Sequence, residues 1–200
     1  MTARELTVPG AWEITPTVHA DPRGLFFEWF TDREFTGFAG HRLDIRQANC
    51  SVSRAGVLRG LHFAAVPPGQ AKYVTCVRGA VCDVAVDIRV GSPTFGRWDA
   101  VLLDGRDRRS IYLAEGLGHA FLALQDDSTV MYLCSTGYDP AREHTVSPTD
   151  PALDIDWNFD GELVVSDRDA DAPTLDQARQ AGLLPTWDAC QAYVEGLRRR

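Results

Sequence analysis

Residues 81–89, VCDVAVDIR, alternate without a break. Cys82, Val84, Val86 and Ile88 fall on one face; Val81, Asp83, Ala85 and Asp87 fall on the other. A period of two sustained over this length predicts a β-strand. Similar segments fill the middle of the chain. AKYVTCV (71–77) stops at Arg78-Gly79, and GSPTFG (91–96) is a turn-rich connection. WDAVLL, SIYLA, HAFLAL and STVMYLC follow, parted by LDGRDRR, EGLG and QDD. GVLRGLHF, upstream, reads as one more strand. Closely spaced strands with Gly/Asp turns and no helical period predict an all-β antiparallel sandwich or barrel.

Outside this block the pattern changes. TDREFTGF predicts a short helix after the strand LFFEWF. Residues 150–173 read as irregular chain with short extended pieces. Thr174 and Gln177 then have the spacing of a capping box. Gly182 ends that helix, and Thr186 caps a last one that runs into the basic terminus. The expectation is one domain over 1–200, with a C-terminal helical segment over about 174–200.

Composition narrows the chemistry. A chain of 200 residues can bury a full core. Its net charge of −8 repels phosphate backbones, which argues against a nucleic-acid partner. No apolar run reaches membrane-spanning length, and the N-terminus lacks a signal-peptide layout; the expected location is the cytoplasm. Five cysteines without a C-x-x-C pair predict reduced thiols rather than zinc or a disulfide framework. Of the 20 Lys and Arg residues only Lys72 is a lysine. An ammonium kept where guanidinium is used everywhere else points to a role that arginine cannot fill.

His62 lies on the strand GVLRGLHF, close to Lys72 in sequence. By pattern alone it reads as a half-buried histidine tied to a backbone carbonyl. Arg59, three positions earlier, faces the opposite side unless a bulge intervenes. Ala114-Glu-Gly-Leu-Gly-His119 is similar to the second histidine motif of metal-binding cupins, with Ala in place of Pro. The first cupin motif is missing, since Phe63 and Ala64 follow His62. Two histidines without further ligands at the right spacing do not make a metal site. The cupin-like motif therefore speaks for fold, a cupin-type double-stranded β-helix (jelly roll) with short C-terminal helices.

The runs QANCSVSRAGVLRGLHF, PPGQAKYVTCVRGAVCDVAVDIRVGSPTFGRW, YLAEGLGHAFLAL, MYLCSTGYDPAREH and VVSDRDADAPTL closely resemble the dTDP-4-dehydrorhamnose 3,5-epimerases. The resemblance covers about Asp21 to Leu184. It implies epimerisation of a dTDP-linked 4-keto-6-deoxyhexose through an enolate, with no metal or redox cofactor, in a homodimer. It further implies that His62 is the base, oriented by Asp169 or, by register, Asp167. Lys72 would face the C4 oxygen, and Tyr132 would be the acid on the far face. Arg23 and Arg59 would hold the diphosphate, and Tyr138 would stack on thymine. Phe26, Glu28, Gln47 and Asn49 would lie near base and sugar, some of them across a dimer contact. His119, Glu143 and Arg168 would be supporting binding residues.

Phe63 in place of the commoner Tyr, the longer PPGQAK and the altered GLGHAF resemble the branch that makes antibiotic deoxysugars. Members of that branch invert C3, C5 or both. The presence of Tyr132 favours an enzyme able to act at C5, and so at both carbons. The competing readings are a single-carbon epimerase, a cofactor-free sugar-nucleotide keto-isomerase, and a non-catalytic sugar-binding cupin.

Overall fold

The computed structural model describes residues 1–199; Arg200, the last residue of the expected helical segment, lies outside them. The strands are β1 (Thr2–Glu5), β2 (Ala11–Thr15), β3 (Val18–Asp21), β4 (Gly24–Phe27), β5 (Gln47–Ser53), β6 (Leu58–Ala64) and β7 (Lys72–Arg78). Then come β8 (Ala80–Asp87), β9 (Trp98–Asp104), β10 (Ser110–Leu113), β11 (Leu117–Ala123), β12 (Ser128–Cys134) and β13 (Glu143–Thr145). The helices are α1 (Asp32–Ala39), α2 (Asp167–Ala170), α3 (Leu175–Gln180) and α4 (Trp187–Arg198).

Two antiparallel sheets form the jelly roll. One has the order β1-β2-β10-β7-β12-β5, the other β13-β6-β11-β8-β9. A separate hairpin, β3-β4, stands apart from both. The facing sides of the sheets enclose Val74, Cys76, Val81, Ala85, Val101, Leu103, Phe121 and Val130.

The outer sides are covered too. Phe35 and Ala39 of α1 pack with Ile14, Tyr73 and Tyr112 on the six-stranded sheet, and the Phe35 and Tyr112 rings meet edge to face at 4.8 Å. Val146, Leu153, Leu175, Ala178 and Leu184 cover Leu61, Phe63, Val84, Val86 and Ile88 on the five-stranded sheet. Each large side chain so buried contributes about 1.5–3 kcal/mol. This double cover explains β8: its even positions serve the outer core and its odd positions the inner one.

The helix ends follow the sequence. Thr174 and Gln177 make the reciprocal capping box. Gly182 adopts φ +68°, and Thr186 caps α4. Of LFFEWF only Leu25–Phe27 belongs to a strand; the rest leads into α1, capped by Thr31.

Candidate active site

The side chains that matter lie on the inner faces of neighbouring strands. On β7, Lys72 shares its face with Val74 and Cys76; on β12, Tyr132 and Cys134 share theirs with Val130. Lys72 and Cys134 are directly paired across β7 and β12. On the opposite sheet, His62 of β6 is paired with His119 of β11.

The register of β6 against β11 shifts between His119 and Phe121. Gly60 permits the close approach there: its φ is +120°, and a Cβ would stand 2.5 Å from the His119 carbonyl oxygen. The irregularity lets Arg59 and His62 border one cavity of about 390 Å³ despite their three-residue spacing.

The partner of His62 is a carboxylate, where the pattern alone favoured a backbone carbonyl. His62 Nε2 lies 2.8 Å from Asp169 Oδ1. The local fold explains how a residue 107 positions away arrives there. Val164 bridges to Val57 beside the start of β6. Ser166 then caps α2, a four-residue helix in a stretch that reads as irregular, and Asp169 occupies its third position. Asp169 is 3% exposed, whereas Asp167 points to solvent. The choice between the two acids thus falls to Asp169. Its other oxygen accepts the Gly60 amide at 3.2 Å.

Burial acts against ionisation of Asp169, but the His62 hydrogen bond and charge, with the Gly60 amide and Ser166, hold it below the usual carboxylate range. Burial lowers the His62 value from 6.5; Asp169 opposes this and the Lys72 charge adds to it. With a proton on Nε2 for Asp169, the Nδ1 lone pair is left for an incoming proton. Burial also lowers the Lys72 ammonium, with Cys134, Glu143 and Asp83 acting in the opposite sense. Burial chiefly, then Cys134 and Glu143, raise the Tyr132 phenol, so it stays protonated near neutrality. The Lys72 charge thus acts on His62 from the opposite sheet.

His119 makes a second pair: its Nε2 lies 2.9 Å from Asp83 Oδ1, with the carboxylate fully buried. No role follows for Asp83 from its place in an alternating strand; an acid beside Val81 and Ala85 on the inward face was the available signal. Among the described residues, no three His, Cys, Asp or Glu side chains form a group suited to a metal ion.

Arg168 borders the His62 cavity, and Glu143 borders a second one of about 260 Å³ with Gly69, Gln70 and Thr136. Gln47 and Asn49 are bonded to each other at 2.9 Å. Asn49 reaches Cys134 Sγ, and Gln47 accepts the Tyr138 amide at 2.8 Å, leaving the Tyr138 ring exposed. Arg23, Phe26 and Glu28 border neither cavity. Arg23 is paired with Asp21 in the β3-β4 hairpin, and Phe26 is 65% exposed.

The sequence matches the family dTDP-4-dehydrorhamnose 3,5-epimerase over residues 5–177. The chain belongs to that family. It is 73% identical over 199 residues to the dTDP-4-dehydrorhamnose 3,5-epimerase of Mycolicibacterium smegmatis, covering 100% of this chain and 98% of the relative. The solved rmlC epimerase of Mycobacterium tuberculosis is similar at TM-score 0.97 and 66% identity, over 98% of this chain and 100% of that one. ChmJ, a 3'-monoepimerase from Streptomyces bikiniensis solved with dTDP-quinovose, is similar at TM-score 0.95 and 51% identity, over 98% of each chain.

With His62 as the base that the resemblance implies, its electrostatics predict a pH profile. A base works unprotonated, so whatever lowers its pKa carries activity to lower pH. The acid limb of kcat/KM is expected below 6.5. Asp169→Asn removes the group that raises the imidazole value and should move the limb lower still. A wild-type limb above 6.5 would contradict His62 as the base.

Proposed function

We propose that the protein inverts C3 and C5 of a dTDP-linked 4-keto-6-deoxyhexose. The observation that carries this is the His62–Asp169 pair at 2.8 Å, opening on the cavity that Arg59 and Arg168 border, with the Lys72 charge acting on the same imidazole.

The C4 ketone acidifies the hydrogens at C3 and C5. His62 takes one of them, and the electron pair left on carbon moves onto the C4 oxygen. Lys72 stabilises that enolate as a compact cation, and Asp169 stabilises the imidazolium that forms. Protonation of the carbon from the opposite face completes the inversion, with Tyr132 as the donor at C5. Arg59 and Arg168 supply guanidinium groups for the diphosphate. The site works as a homodimer: Arg23 and Phe26 of the hairpin, with Glu28 just after it, complete the neighbouring subunit's site, and the hairpin's Val18, Leu25 and Phe26 are exposed.

The second reading, inversion of C3 alone, is favoured by the likeness to ChmJ, a 3'-monoepimerase. Proton NMR in D₂O with dTDP-4-keto-6-deoxyglucose separates the two. Deuterium at C3 and C5 is expected; label at C3 alone supports the second reading, and tight binding without label supports a non-catalytic protein. Tyr132→Phe should keep C3 exchange within about threefold while cutting inversion at C5 by about 10² or more. Equal losses at both carbons would contradict that division of labour. Run over a dilution series, the same assay should lose specific activity as the dimer dissociates.

A further inference from the structure

Lys72 is the first residue of β7, and the chain just before it is tied to a buried acid that reaches neither cavity. The Ala71 amide donates to Ser135 Oγ at 2.8 Å. Ser135 Oγ donates onward to Glu115 Oε1 at 3.1 Å. The Ser135 amide returns a bond to the Ala71 carbonyl at 3.1 Å. Glu115 sits in the turn between β10 and β11 and is 2% exposed.

Glu115 is a costly residue to bury. Its Oε2 has no partner, and burial pushes its carboxyl up to about 6. A neutral side chain of similar size would cost less. What the acid provides is location. Gly69 packs directly on it, since a Cβ at Gly69 would stand 2.8 Å from Glu115 Cβ. Thr136 Oγ1 donates to the Gly69 carbonyl at 2.9 Å, and Gly69 and Thr136 both border the second cavity. One side chain therefore supports the start of β7 and a wall beside it.

We propose that Glu115 is a positioning residue for Lys72, acting through Ser135 and the Ala71 amide. A lysine has a long flexible stem, so its ammonium is aimed only as well as its backbone is held. Small displacements of a group that meets the transition state have large effects on rate. The consequence for turnover rests on the epimerase reading; the consequence for Lys72 itself does not.

Because Lys72 is the single lysine, lysine carrying ¹³C at Cε gives one side-chain signal whose titration reports this ammonium alone. Ser135→Ala removes the relay hydroxyl with little change in volume. It should move the Lys72 midpoint by about half a pH unit or more and lower kcat about tenfold, with KM within about twofold. Glu115→Leu should match it. Glu115→Gln keeps an oxygen for Ser135 and should hold both readouts near wild type. The double variant Ser135→Ala, Glu115→Leu should be no worse than its worse parent, as expected for groups in one relay. An unmoved Lys72 signal in folded Ser135→Ala overturns the proposal, whatever the activity, and so do additive losses. A moved signal in a protein whose wild type exchanges no sugar proton supports the positioning role and sinks the epimerase reading instead.

Discussion

His62→Ala is expected to erase deuterium exchange at both C3 and C5, lowering turnover by about 10³–10⁴. One imidazole serves both carbons in the proposed reaction, so neither exchange survives its loss. The fold should survive. The His62 side chain is 32% exposed, and its recorded hydrogen bond is the one to Asp169. Asp169 loses its main partner but keeps the Gly60 amide and Ser166. Circular dichroism and thermal unfolding close to wild type, with exchange absent, is the predicted pair of results. Exchange that persists at C5 alone would require a second base. Exchange that persists at both carbons would remove His62 from the chemistry.

The second large effect belongs to Lys72. Lys72→Ala should lower kcat by about 10²–10³, the usual loss when one donor to a developing oxyanion is removed. KM should change far less, because the charge on oxygen exists mainly in the transition state. Lys72→Arg is the sharper test. It restores the positive charge, but as a broad planar group on a different stem, and should recover less than about a tenth of the lost rate. Full recovery would mean that charge alone matters there. The one lysine in a chain that otherwise uses arginine would then need another explanation.

Much of this was legible in the residues, though unevenly. The strands of the central block declare themselves because their inward positions are apolar, as in β8 and β11. β5 is misleading: QANCSVS alternates, but its apolar positions Ala48, Cys50 and Val52 are the exposed ones, while its more buried positions Gln47, Asn49, Ser51 and Ser53 are polar. α2 also escapes notice, since a four-residue helix has no periodicity to detect. Only the Val164 bridge and the Ser166 cap, both tertiary or backbone features, decide which acid of SDRD turns inward. The same holds for Arg59 and His62, whose shared cavity depends on a register shift that spacing cannot reveal. Asp83 shows the reverse case. Its alternation placed it on a face with apolar neighbours, but the burial that makes an acid there unusual emerges only when two sheets close over it.

The distance in sequence between His62 and Asp169 bears on how the protein is made. A ribosome that has delivered His62, Lys72 and Tyr132 has produced every strand of the two facing sheets up to β12, yet not the acid that steadies the imidazole. The nascent chain therefore carries His62 without its carboxylate partner until Asp169 is added. That carboxylate arrives late, with the segment that also seals the outer side of the five-stranded sheet.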